Sequence, residues 1–180
     1  MSEGISRSIF LIGFMGAGKS TIARALQREL GFPLIEMDER IVKEQGMSIN
    51  DIFAQYGEDH FRDIESQLIV DIGKEEPSIV SCGGGVVVRP QNTQNMKEIG
   101  RIVFLKATPE TIYERVKNST DRPILNGHMN VEYIAELMEK RRALYEEAAD
   151  ITIQTDGKTR DQICQEIIGK LRDTDEVKLG

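Results

Sequence analysis

The run Gly13-Phe14-Met15-Gly16-Ala17-Gly18-Lys19-Ser20 has the spacing G-x-x-x-x-G-K-S, and each residue type in it answers a negative charge. Glycines let consecutive backbone N–H groups turn inward around a phosphate, a lysine reaches the outer phosphates, and the neighbouring hydroxyl can ligate Mg²⁺. The motif follows the apolar run Ser8 to Ile12 and opens a segment of helical period from about Lys19 to Leu30, which is the strand–turn–helix context the chemistry needs. With glycine near 7% of average usage, a chance match in a chain of this size is on the order of one per cent. A glycine turn that merely packs helix on strand is therefore the weaker reading, and nucleoside triphosphate binding is expected.

A GTPase switch would add D-x-x-G and N-K-x-D, and neither string occurs. The run Ser78 to Ser81 also ends without the acidic residue that a Walker B strand places on magnesium. Instead, a second short strand starting at Pro33 and Leu34-Ile35 ends in Glu36-Met37-Asp38. Two carboxylates then stand at the carboxyl end of a strand, the edge at which open α/β sheets bind ligands. One can hold a metal-bound water, and the other can accept a hydroxyl proton. The alternative is a pair of ordinary carboxylates at a helix N-terminus.

A sheet must position these groups, and short β-branched runs alternate with helical segments as βα units around a parallel sheet do. The first helix should stop at Gly31; Ser48-Ile49-Asn50-Asp51 caps another, and helices continue to about Ile72. Ser78 to Ser81 forms a third strand running into Gly83-Gly84-Gly85, Arg101 to Leu105 a fourth closed by Thr108-Pro109, and Ile151 to Ile153 a fifth. Thr159 with Gln162 caps a last helix whose Ile163, Ile167, Ile168 and Leu171 share a face, and the charged stretch Asp173 to Gly180 is expected to fray. The polar stretch from Asn118 to Asn130 is long for a connection and reads as a lid or as a disordered linker.

A length of 180 residues suits one domain. Lys plus Arg at 23 against Asp plus Glu at 30 leaves a net charge of −7, which argues against a general nucleic-acid or membrane-surface binder. Any anionic ligand must be held by a local basic cluster. Cys82 and Cys164 are too few for a disulfide framework or thiolate zinc site, the start has no apolar signal core, and no apolar run approaches a membrane span. A reduced, soluble, cytoplasmic protein is expected. His60 and His128 lack ligand spacing and read as surface residues, and Cys82 reads as a small buried filler.

From about Ile9 to Ile153 the chain resembles the shikimate kinases. The resemblance rests on GFMGAGKST, the Glu36-x-Asp38 pair, Gly57 to Glu65 (GEDHFRDIE), Gly83-Gly84-Gly85, Asp121 to Leu125 (DRPIL), and Arg141-Arg142-Ala143-Leu144-Tyr145. It implies a P-loop NTPase of nucleoside monophosphate kinase type: an α/β three-layer sandwich with a five-stranded parallel sheet. It further implies a monomeric single kinase domain over 1–180, with a substrate-binding region about 37–66 and a lid about 117–130. The activity implied is transfer of the γ-phosphate of ATP, with Mg²⁺, to the 3-hydroxyl of shikimate.

Carried over by residue, Gly16, Ala17, Gly18, Lys19, Ser20 and Thr21 hold the nucleotide, Arg115 lies against adenine, and Arg122 closes on the transferring phosphate. Asp38 binds the substrate hydroxyls and takes the proton. Arg62 and Arg141 grip its carboxylate, Gly84 and Gly85 offer backbone N–H groups, and Ile49, Phe53 and Phe61 line an apolar wall. Ser20 and Glu36 serve the metal. Two departures stand out: Glu36 replaces the usual aspartate, and Ala143 replaces the usual proline, so Arg141 is chosen over Arg142 by its distance from Tyr145. Read without the resemblance, Arg62 pairs with Glu65 on one helix face for a few tenths of a kcal/mol, and Arg141 with Arg142 forms a solvated face. Another small-metabolite kinase, such as one for gluconate, and a nucleotide-binding regulatory protein without catalysis remain alternatives.

Overall fold

The structure is a computed structural model that describes residues 4–117 and 130–179, with side chains to 174. Five strands, β1 (Ser8–Ile12), β2 (Leu34–Glu36), β3 (Ile79–Ser81), β4 (Gly100–Lys106) and β5 (Ile151–Gln154), pair in parallel in the order β2-β3-β1-β4-β5. The eight helices among the described residues are α1 (Lys19–Leu30), α2 (Met37–Gln45), α3 (Ile49–Tyr56), α4 (Glu58–Ile72), α5 (Pro90–Ile99), α6 (Pro109–Val116), α7 (Val131–Ala148) and α8 (Arg160–Leu179).

Strand β1 is central and buried along its whole length, and its alternating side chains feed two separate cores. Ile9 and Leu11 pack with Leu26 of α1 and Ile167 of α8, while Phe10 and Ile12 pack with Ile41 of α2, Leu68 of α4 and Tyr145 of α7. That is the period of two written on both faces of one strand, and it makes three layers. The chain passes from β1 to β2 on one side and later from β3 to β4 on the other, so the loop after β1 lies where the winding reverses.

Local chemistry sets most boundaries. Gly31 closes α1 in the left-handed conformation with its N–H on the Gln27 carbonyl. The Ser48 hydroxyl accepts from the Asp51 N–H at 3.1 Å. Thr159 and Gln162 cap α8 reciprocally, at 2.8 and 3.1 Å. Two expectations are corrected. Asp38 does not end the second strand: Glu36 makes the last rung, opposite Ser81, and buried Met37 starts α2 with Asp38 in its first turn. The stretch from Asp173 continues α8 through Leu179, because it holds neither glycine nor proline and each added residue completes another helical hydrogen bond. Arg122, His128 and most of the expected lid lie outside the described residues. Among the described residues, no helix is long and apolar enough to cross a membrane.

Candidate active site

The loop from Gly13 to Gly18 carries the chain from β1 to α1. Gly16 and Gly18 have φ of +80° and +96°, a region that L side chains rarely adopt. Gly16 has a second reason to lack a side chain: a Cβ there would lie 2.7 Å from the Val116 methyl of α6. The turn is closed by the Ala17 N–H on the Phe14 carbonyl at 3.1 Å. The Lys19 ammonium donates to the carbonyls of Gly13 and Phe14, curling back over the loop. Arg115, near the end of α6, donates to the Gly16 carbonyl at 3.1 Å, and Thr21 is exposed one residue beyond Ser20.

Because Glu36 and Ser81 are register partners at the ends of β2 and β3, their side chains meet Ser20. The Ser20 hydroxyl donates to Glu36 Oε2 at 2.9 Å and lies 3.4 Å from the Ser81 hydroxyl. Glu36 Oε1 is buried with no hydrogen-bond partner among the described residues. A hydroxyl and a carboxylate with one orphaned oxygen, beside a phosphate-type loop, form a hard-oxygen set that suits Mg²⁺ sharing its shell with phosphates and water. No group of three or more His, Cys, Asp or Glu that could hold a metal occurs among the described residues.

Past β3 the chain runs through Cys82 to Gly85 into a 3₁₀ turn over Val86–Val88, held by buried Asn92, whose amide donates to the Val86 carbonyl at 3.0 Å. The three glycines are cut to fit charged neighbours. A Cβ at Gly83 would stand 3.0 Å from Asp38 Oδ1 and 3.1 Å from Glu65 Oε2, and one at Gly85 would stand 2.6 Å from Arg62 Cζ. Arg62 and Glu65 are both buried, bonded at 2.9 Å, with Glu58 adding a contact to Arg62 at 3.4 Å. Burial pushes the Glu65 carboxyl up; the Arg62 charge and hydrogen bond pull against that, and Asp38 adds to the rise. The i, i+3 pair that the residues alone suggested on one helix face is thus present, but as an interior pair under the glycine strand exit, with one Glu65 oxygen and Arg62 Nε unpartnered among the described residues.

Gly84 joins the two halves. A Cβ there would lie 3.5 Å from Arg141 Nη1, 3.8 Å from the Met15 amide nitrogen and 3.9 Å from the Gly13 carbonyl oxygen. On α7, Arg141 faces this cluster, whereas Arg142 turns outward to Glu139 and Glu146. Phe61 is buried and Phe53 partly exposed, with ring centroids 5.0 Å apart, and Arg62 lies 5.2 Å over the Phe61 ring. Ile49 packs beside them against the core. The structure therefore brings together Asp38, Arg62, Arg141, Gly84, Gly85, Phe61 and the Gly13 to Ser20 loop. Arg115 stands on the far side of that loop, and Arg122 is outside the described residues. Sequence reasoning gave Glu65 only a surface pairing with Arg62 and used Tyr145 only as a spacing mark; both stand inside quoted motifs, which was the available signal.

The sequence model of the family described as Shikimate kinase matches residues 15–172. The chain belongs to the shikimate kinase family. A shikimate kinase of Dehalococcoides mccartyi is 43% identical over 165 residues, covering 92% of this chain and 93% of that one. One from Persephonella marina is 43% identical over 166 residues, covering 92% and 99%. Among solved structures, a shikimate kinase from Acinetobacter baumannii in complex with shikimate superposes with a TM-score of 0.89 at 28% identity, covering 96% of this chain and 97% of that one. Membership accounts for the shared order of the motifs; the side-chain geometry above belongs to this chain.

Proposed function

We propose that this chain transfers the γ-phosphoryl group of ATP to the 3-hydroxyl of shikimate. The observation that carries the reading is the meeting at Gly84 of a phosphate-type loop with a cluster of two arginines, Asp38 and backbone N–H groups. A triphosphate on Gly16 to Thr21 leaves its outer phosphate facing that cluster. A small hydroxy-acid held by residues of the 37–66 region presents its carboxylate to Arg62 and Arg141, whose forked donors suit it. Asp38, exposed in the first turn of α2, accepts the hydroxyl proton as the new O–P bond forms.

Phosphoryl transfer spreads charge over oxygens, so most of the acceleration comes from placement and positive potential. Lys19 supplies that potential by leaving the Gly13 and Phe14 carbonyls for the phosphates, and Arg115 steadies the nucleotide side of the loop. Ser20 and Glu36 would hold Mg²⁺, which when bound neutralises phosphate charge. Arg122 and the 117–130 lid are part of this reading and rest on the resemblance alone. One chain supplies both halves of the site, so a monomer suffices, and the cytoplasm keeps its two buried free thiols reduced.

The test is acceptor-dependent ADP release by the purified full chain with Mg²⁺ and ATP. Release with shikimate, and background release with gluconate or no acceptor, is expected. Asp38→Asn is expected to lower turnover by about two orders of magnitude with ATP affinity unchanged. Equal rates with and without acceptor would refute the transfer, and loss of ATP affinity in the variant would put Asp38 in the wrong subsite.

A further inference from the structure

Tyr145 lies one turn beyond Arg141 on α7 and is 2% exposed. Its ring stacks on Phe104 of β4, with centroids 5.1 Å apart and planes 20° from parallel. A ring held on both sides can aim its hydroxyl in few directions, and a buried phenol must find a partner. The Tyr145 hydroxyl donates to the Gly84 carbonyl and also pairs with the Arg141 guanidinium.

The Gly84–Gly85 peptide is trans, so its C=O and N–H point opposite ways. Fixing the carbonyl toward Tyr145 fixes the Gly85 N–H toward the other side. No acceptor among the described residues takes that N–H. The flanking carbonyls of Gly83 and Gly85 accept from the Val86 and Val88 N–H groups at 3.2 and 3.1 Å, but two successive glycines leave the amide plane between them free to turn, and among the described residues Tyr145 is the side chain that bonds to it. A carbonyl that accepts a strong hydrogen bond also makes the N–H of the same amide a better donor.

We propose that Tyr145 is a positioning residue: its hydroxyl locks the Gly84–Gly85 amide so that the Gly85 N–H stands as a fixed, polarised donor to the phosphoryl group in transfer. Tyr145 does not touch the substrate; it acts through the peptide. The last step rests on the function proposed above, whereas the lock itself does not.

Tyr145→Phe removes one oxygen and keeps the ring stack. Its kcat with shikimate is expected to fall about tenfold, with the Michaelis constant for ATP within twofold, because the donor is needed most when charge gathers on the transferring oxygens; any rise in the shikimate Michaelis constant reports the Arg141 contact, not the amide. In ¹H–¹⁵N spectra of the free protein, the Gly85 amide resonance is expected to move and its hydrogen exchange to quicken, while α1 amides stay in place. A kcat within twofold of the parent overturns the proposal, as does a loss confined to thermal stability. An unmoved Gly85 amide overturns it too. Should the parent chain show no shikimate-dependent turnover, the proposed function fails separately, and the amide spectra alone decide whether the lock exists.

Discussion

Gly85→Ala tests the fit between the glycine strand exit and the buried arginine. The backbone at Gly85 has φ −100° and ψ 11°, which alanine adopts without strain, so the cost is steric. The new Cβ would lie 2.6 Å from Arg62 Cζ and Nη1, against an ordinary contact of 3.4–4 Å. The guanidinium must retreat by about 1 Å, and if Arg62 grips the substrate as proposed, a displacement of that size costs about 10²-fold. It has little room: its side chain is 8% exposed and bonded to fully buried Glu65 at 2.9 Å. Overpacking of this kind costs about 1–3 kcal/mol; at about 2 kcal/mol, a domain of this size loses roughly 4–8 °C in Tm. Coupled ADP-release kinetics should show the loss in kcat/KM for shikimate, with the ATP Michaelis constant nearly unchanged. In Gly85→Ala, a further Arg62→Ala change should cost far less than in the parent, because the group it removes is already misplaced. A shikimate kcat/KM within threefold of the parent, or strictly additive losses in the double variant, would refute the reasoning.

Arg62→Lys keeps the charge but replaces a planar fork with a point donor that cannot serve Glu65 and a carboxylate together; the shikimate Michaelis constant should rise about tenfold or more, and an unchanged value removes Arg62 from the substrate site. Asp156 ties the loop after β5 to the start of α6, accepting from the Thr108 N–H at 3.1 Å, the Thr108 hydroxyl at 3.0 Å, the Thr111 hydroxyl at 2.5 Å and the Gln154 amide. Burial pushes its carboxyl up, but the bonds from Thr111, Thr108 and Gln154 together outweigh this and hold it at about 2 against the usual 3.8. A carboxyl depressed in the folded state stabilises above its ordinary value and loses that contribution as the pH falls toward about 2. Asp156→Asn should therefore lower Tm at pH 7 and flatten its fall between about pH 4 and 2; parallel Tm–pH curves for parent and variant would contradict this.

What the sequence made legible was chemistry carried by neighbours in the chain. Gly13 to Ser20, the Ser48 cap and the Thr159–Gln162 box are local patterns whose geometry follows from residue type and spacing. What stayed hidden was burial of charge. Arg62 and Glu65 are three apart, and that spacing reads the same on a wet helix face as beneath a glycine turn; only the packing of Gly85 against Arg62, a contact across the fold, distinguishes them. The end of β2 was misjudged by two residues because the last rung depends on Ser81 opposite, not on Glu36-Met37-Asp38 themselves. The contacts of Tyr145 and Asp156 are illegible in sequence for the same reason: their partners, Gly84 and Thr108, lie 61 and 48 positions away.

These contacts show how an acidic chain could bind the two anions of the proposed reaction. Three of its site cations are already engaged: Lys19 with loop carbonyls, Arg62 with Glu65, Arg115 with Gly16. Ligands therefore exchange partners instead of ordering loose side chains, which spares part of the roughly 1.5–2 kcal/mol of rotamer entropy that each long basic residue would otherwise lose. The exchange is asymmetric. Lys19 exchanges its bonds to the Gly13 and Phe14 carbonyls for charge-assisted bonds to phosphate. Arg62 keeps buried Glu65 throughout, because abandoning it would strand a charge in the interior at several kcal/mol, so only its remaining donors are free to meet the substrate. Contacts are thus exchanged in the phosphate half and kept in the acceptor half, which suits the proposed reaction, where the phosphoryl group travels and the hydroxyl must wait in place.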